Sequence, residues 1–207
     1  MQAILLKECA KEISEPLQIV FRSMFDCHYI PDMLKRAAIV PIFKSGDKSQ
    51  PANYRQISLT PRIMKILERI VRKQVVKFLN KNDYLNPTQH GFREGRSCLS
   101  ALLDVYDDIV NSISCPSTCV DMVYLDFAKA FDKVDHGILL HKLKSMGITG
   151  KLGICFFNFL SDRTQFVRMP GASSSDSPVI SGVPQGTVLG PLLFLILMSD
   201  INHGVKI

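Results

Sequence analysis

The chain has no tryptophan, and only 8% of its 207 residues are aromatic. It also lacks a long apolar run. The longest, Val188 to Met198, has 11 residues and holds Gly190 and Pro191, too short to cross a bilayer. Six cysteines stand at positions 9, 27, 98, 115, 119 and 155, without a CxxC pair and without the spacing of a secreted disulfide scaffold. Reduced thiols in an intracellular, nuclear or cytoplasmic protein are therefore expected. The N-terminus has no basic start, sustained apolar stretch or small-residue cleavage site, so no signal peptide and no secretion are expected. Repeats, low-complexity tracts and a convincing linker are missing too. The second half is short of positive charge: residues 101–207 carry 8 Lys/Arg against 10 Asp/Glu.

What is present is globular. A composition of 46% hydrophobic and 21% charged residues, with 12 Gly and 11 Pro, excludes disordered, collagenous and coiled-coil classes. The net charge of +6 sits in the first half, where residues 1–100 carry 17 Lys/Arg against 9 Asp/Glu. Such a basic half suits a polyanionic partner or is a solvated helix face.

Periodicity predicts helices over residues 1–36, with a break at Pro16, then a strand over Ala37–Phe43 and a turn-rich loop. A helix is expected over Arg62–Asn80, with Ile63, Ile66, Leu67, Ile70, Val71 and Phe78 as its apolar stripe. Another is expected over Cys98–Ser114, with Leu102, Leu103, Tyr106, Ile109, Val110 and Ile113 turned inward. Val120 to Phe127 reads as a buried strand. Residues 137–161 read as helix interrupted near Gly147–Gly150, Gln165–Met169 and Pro178–Ile180 as short strands, and Val188–Ile201 as an apolar helix. The class is α+β.

Three places could carry chemistry. Asp126 ends the apolar run at 120–127. An aspartate there can offer a carboxylate to Mg²⁺ at a sheet edge or cap a following helix. Asp132 and Asp135 read as capping or loop residues. The turn Ser181-Gly-Val-Pro-Gln-Gly186 allows close backbone approach to a ligand or is an ordinary Gly/Pro turn. Lys44, Lys48 and Arg55 form a basic loop suited to phosphate or to solvent. Two look-alikes fail. Val105-Tyr-Asp-Asp108 sits on an amphipathic helix whose polar face includes Asp104 and Asn111. Cys115-x3-Cys119 with His136-x4-His141 encloses the apolar strand, which argues against zinc.

Taken together, five segments resemble one family, in its order. They are Ile39-Val-Pro-Ile-Phe-Lys-Ser-Gly-Asp47, Asn53-Tyr-Arg-Gln-Ile-Ser-Leu-Thr60, Gln89-His-Gly-Phe-Arg-Glu-Gly-Arg-Ser97, Tyr124-Leu-Asp-Phe-Ala-Lys-Ala-Phe-Asp132 and Ser181-Gly-Val-Pro-Gln-Gly-Thr-Val-Leu-Gly-Pro-Leu-Leu-Phe194. Leu160-Ser-Asp-Arg-Thr-Gln165 fits as well. The chain resembles the reverse transcriptase domain of LINE-type, jockey-like non-LTR retrotransposons. The resemblance implies a right-hand polymerase fold: mostly fingers over residues 1 to about 119, mostly palm over about 120–207. It implies an RNA template, a DNA primer, a dNTP and Mg²⁺, and no membrane. Asp126 matches the catalytic metal ligand, with the Phe127 backbone carbonyl beside it. Phe131 matches the ring that leaves no room for a 2′-OH. Lys44 and Arg55 match the phosphate clamp, and Gln185 and Gly186 the nucleotide contact. Arg62, Lys65, Arg69, Arg72, Lys73, Arg93 and Arg96 would face template or primer backbone.

The sequence also departs from the family. The Phe/Tyr-Ala-Asp-Asp hairpin, which completes the metal site, and the thumb fall beyond Ile207, and the endonuclease domain falls before the first residues. Gln56 stands where the family usually has proline. The expectation is a fragment of an RNA-directed DNA polymerase that does not polymerise as an isolated chain. The alternative is a non-catalytic nucleic-acid-binding remnant that uses the basic first half.

Overall fold

The computed structural model describes residues 3–114 and 119–201. Residues 3–35 are mostly helical, in α1 (Ala3–Glu8), α2 (Ala10–Asp26) and the short α3 (Asp32–Lys35). The break falls at Cys9 and not at Pro16, which lies inside α2. A proline there removes one backbone donor, yet α2 is held by Phe21 and Met24, which it buries in the core, and packing offsets the lost bond.

The sheet begins with β1 (Ala37–Phe43) and β2 (Tyr54–Leu59), an antiparallel pair in which Ile42 faces Arg55 and Pro41 faces Gln56. The periodicity gave β2 no strand, because only its pairing with the apolar β1 makes so polar a segment extended. β3 (Arg163–Met169) lies parallel to β1 on its other side, and β4 (Ala172–Ser173) and β5 (Ser177–Val179) pair antiparallel with β3. Among the described strands, the order β2-β1-β3 leaves one edge of β2 without a neighbour.

The core lies among α4 (Arg62–Lys81), α6 (His136–Ser145), α7 (Gly150–Leu160) and α8 (Leu189–Leu197). Leu79, Leu139, Phe156, Leu160, Leu193 and Ile196 are fully enclosed there. α4 buries Met64, Leu67, Glu68, Val71, Val75 and Leu79, a stripe of spacing three and four. That stripe is rotated from the expected one. Ile70 is 53% exposed, and with Ile66 and Leu67 it lines a groove shared with α2. α6 starts where the Asp135 carboxylate accepts the Ile138 N–H at 2.8 Å. Asp135→Ala should cost about 1 kcal/mol of stability, read as a lower urea midpoint at unchanged slope.

Two expectations about the middle of the chain fail. Residues 120–127 form no strand, and Tyr124 and Leu125 are 83% and 82% exposed. A strand exists by pairing, and none of the five described strands pairs with this segment. α5 (Cys98–Ile113) forms, but none of its residues is buried, and Leu102 is 67% exposed. Among the described residues nothing encloses its apolar stripe. α5 is held locally instead: Ser97 Oγ accepts the Ser100 N–H and Ser100 Oγ accepts the Ser97 N–H, closing a capping box. The zinc-like pattern is only partly placed, because Cys115 lies outside the described residues.

Candidate nucleotide and nucleic-acid site

The turn over 181–186 is wedged between two neighbours. On one side, the Gly182 N–H donates to the Val134 carbonyl and the Val183 N–H to the Phe131 carbonyl, both at 2.8 Å. Ser181 Oγ donates to the Asp132 carbonyl at 3.1 Å. His136 Nε2 donates to the Gly182 carbonyl at 2.7 Å, which requires the proton on Nε2. On the other side, the Ser58 N–H donates to the Gln185 carbonyl at 2.6 Å, so the turn sits against the open edge of β2. Two glycines make this approach feasible. Gly182 has φ +87°, and a Cβ there would lie 2.8 Å from the Asp132 carbonyl oxygen. Gly186 has φ +107°, and its Cβ would lie 2.9 Å from the Ser58 carbonyl oxygen. Close approach and positive φ both require glycine.

The helix that follows the turn is capped twice. Thr187 Oγ1 accepts the Gly190 N–H at 3.1 Å and donates to the Pro184 carbonyl at 2.8 Å. Glu68, far away in sequence, places Oε2 at 2.6 Å from the Val188 nitrogen and 3.0 Å from the Leu189 nitrogen. Glu68 is 1% exposed and Arg163, at the start of β3, is 3% exposed. Arg163 Nη1 donates to the Phe159 carbonyl at 3.0 Å. Glu68 Oε1 and the Arg163 Nε and Nη2 have no hydrogen-bond partner. Burial raises the Glu68 carboxyl above the usual range, against the pull of the two backbone amides, Arg163 and Lys65. Burial pushes the Arg163 guanidinium down to about 10, with Glu68 opposing.

A cavity of about 250 Å³ opens beside the turn, lined in part by Gln56, Ser58, Lys129, Asp132, Arg163 and Gln185. The Asp132 carboxyl is raised by partial burial, against Lys129 and a hydrogen bond from Gln185. Polar side chains from β2, β3 and the turn thus converge on one opening.

The other anticipated residues are spread more widely. Phe131 is half-buried, stacked on Phe194 at 4.7 Å between centroids and edge-on to Phe92 at 5.8 Å. Lys44 and Arg55 are exposed on the β1–β2 hairpin. Arg55 is opposite Ile42, and Lys44 lies two residues beyond Ile42, so both belong to the sheet face away from Gln56 and Ser58. They do not line the cavity. Asp126 and Phe127 are exposed in the irregular segment. Among the described residues no group of three His, Cys, Asp or Glu could hold a metal ion. The described residues do not compose a Mg²⁺ site by themselves.

The basic face is well defined. Arg62, Lys65, Arg69, Arg72 and Lys73 recur on α4 within an arc of roughly 100°, beside the buried stripe. Arg93 donates to the Asn86 carbonyl at 2.8 Å, and Arg96 lies 3.1 Å from His90 Nε2. His90 in turn reaches Ser100 Oγ at 2.7 Å and Asp104 at 2.9 Å. Arg93 is therefore partly committed to bracing its own loop, and Arg96, through His90, to holding that loop against α5.

Sequence reasoning assigned no role to Glu68, Arg163 or Lys129, and it gave Asp132 only a capping or loop part. Glu68 left one signal, an acidic residue at a buried position of an apolar stripe. Arg163 left none beyond its place in the Leu160–Gln165 segment.

With this geometry in hand, the family is clear. Residues 42–206 match the family model for reverse transcriptase, the RNA-dependent DNA polymerases. The chain belongs to that family. Within it, the chain is related to jockey-like non-LTR retrotransposon enzymes. It is 32% identical over 197 residues, 95% of its length, to a probable RNA-directed DNA polymerase from transposon X-element of Drosophila melanogaster. It is 33% identical over 89% of its length to the RNA-directed DNA polymerase from mobile element jockey of the same species. It is 30% identical over 80% of its length to a Pol polyprotein from the type-1 retrotransposable element R2 of Popillia japonica. It spans only 20% to 22% of the length of these relatives. No described helix is long and apolar enough to cross a membrane.

Proposed function

We propose that the chain is the fingers and part of the palm of an RNA-directed DNA polymerase from a non-LTR retrotransposon. Its substrates in that reading are an RNA template, a DNA primer and a dNTP. One observation supports it above others: the 181–186 turn is joined by backbone bonds both to residues 131–134 and to Ser58. Three separated motifs thereby meet at one polar cavity.

In this reading Gln185 and Gly186 contact the nucleotide, and Phe131 bounds the sugar pocket. Lys44 and Arg55 close on the triphosphate when the exposed hairpin moves over it. Asp126 and the Phe127 carbonyl would offer two oxygen ligands to Mg²⁺, the ion that would stabilise charge on the transferred phosphate. A strand laid beside 120–127 would give that segment its missing ladder. Arg62, Lys65, Arg69, Arg72, Lys73, Arg93 and Arg96 follow the template or primer backbone. A metal-independent second reading, nucleic-acid binding alone, is favoured by the continuous basic face of α4.

Filter binding of an RNA–DNA primer-template over a salt series, paired with primer extension in Mg²⁺ and dNTPs, tests both. Binding should be salt-sensitive. Arg69→Ala with Lys73→Ala should lower the log–log salt slope by about one for each phosphate that is no longer neutralised. The isolated chain should extend primers no better than Asp126→Asn. Extension clearly above that control overturns the fragment reading, and absence of binding at low salt overturns both.

A further inference from the structure

We propose that Glu68 and Arg163 are positioning residues that set where Gln185 meets the nucleotide. The inference rests on the nucleotide-binding reading of the cavity given above.

Burying a carboxylate is costly unless something inside the fold answers its charge. Glu68 occupies a place in the α4 stripe between Met64, Leu67 and Val71, where leucine would fill the space without that cost. α8 does not need Glu68 merely to begin, since Thr187 already accepts the Gly190 N–H. Glu68 instead holds the two earlier amides, Val188 and Leu189, from 120 and 121 positions away.

The consequence is a clamp. Ser58 fixes the Gln185 backbone at its carbonyl, and Glu68 fixes the backbone three and four residues later. Both holds come from one short stretch, the end of β2 and the first turns of α4. Gln185 is therefore confined between two points of a single support. Arg163 completes the device from β3. Like Glu68 it is buried, its positive charge acts on that carboxylate, and it lines the same cavity as Gln185. The outer face of α4 carries Arg62, Lys65, Arg69 and Arg72, so the helix that would track nucleic acid is the one that places the nucleotide contact.

Glu68→Ala and Glu68→Gln in this chain test the proposal. Three readouts are needed: amide exchange at Val188 and Leu189, affinity for fluorescent MANT-dATP with Mg²⁺, and affinity for a short RNA–DNA hybrid. Glu68→Ala should speed exchange at those two amides and weaken MANT-dATP about tenfold. Hybrid binding should stay within about twofold, because the basic face is untouched. Glu68→Gln keeps an acceptor oxygen and nearly the same volume, so its nucleotide loss should be only about threefold. It carries the test alone if the alanine variant does not fold. Unchanged exchange at Val188 and Leu189 overturns the proposal. So does an equal loss of nucleotide and hybrid binding, which is the mark of general loosening. Wild-type chain that binds hybrid but no MANT-dATP overturns the nucleotide reading and the positioning role with it, whatever the exchange data show of the clamp.

Discussion

Gly182→Ala is expected to destabilise the chain by at least about 3 kcal/mol, from a positive φ and a collision acting together. The collision is with backbone. The new Cβ would sit 2.8 Å from the Asp132 carbonyl oxygen, 2.9 Å from its Cα and 2.9 Å from the Phe131 carbonyl oxygen. None of these atoms can swing aside as a side-chain tip could. Relief requires the turn to back away, which breaks the Gly182 and Val183 bonds to Val134 and Phe131. Gly171→Ala is the matched control. Gly171 also has positive φ, +78°, but nothing lies within 4 Å of its Cβ position. Its substitution should cost only about 1 kcal/mol, the conformational part. Urea titrations of both variants check the difference. Equal losses would mean that the close approach of the turn to residues 131–134 contributes nothing.

The same contact explains what could be read from the sequence. Local signals located β1, α4, α5, α6, α7 and α8, because apolar spacing and caps act over a few residues. Asp135 and Ser97 are examples of caps that the structure uses. The motif order gave the family. What escaped was set by partners far along the chain. β2 is extended because β1 lies beside it, and 120–127 is irregular because no described strand does. An apolar run cannot report which of those two situations it will meet. α5 illustrates the dependence: its stripe is well formed at helical period and still exposed.

The candidate site divides in the same manner. The family resemblance named Gln185, Gly186 and Phe131, and the structure brings their segments together. Lys44 and Arg55 were named as a basic loop, but they belong to the face of the hairpin away from the cavity. Glu68 carries a long-range contact to Val188 and Leu189, and no short window of sequence contains its ends. A buried carboxylate becomes visible only when the elements above and below it are known.

Arg163→Met is expected to cost about 1–3 kcal/mol near neutral pH, because it leaves the Phe159 carbonyl without its donor and removes one of the positive charges that act on buried Glu68. The cost should depend on pH, with a definite sign. The Glu68 carboxyl is already raised by burial, and Arg163 is among the groups holding it down. Removing Arg163 raises it further. A carboxyl whose folded pKa lies above its unfolded value binds its proton more tightly when folded. The stability it contributes is complete below the unfolded value of 4.5 and is lost as pH rises through the folded value. Each unit of added upward shift is worth about 1.4 kcal/mol of extra loss. The deficit of Arg163→Met relative to wild type should therefore shrink toward pH 4.5 and widen toward pH 7. Taking the difference cancels carboxylates such as Asp26 and Asp47, which are lowered and lose stability on acidification in both proteins. Glu68→Gln combined with Arg163→Met should recover part of the loss at pH 7, since no unpaired charge is then buried. Urea titrations from pH 4.5 to 7.5 on the four proteins measure both effects. A deficit that does not change with pH, or a double variant as unstable as the sum of the singles, would show that the two charges do not act as a pair.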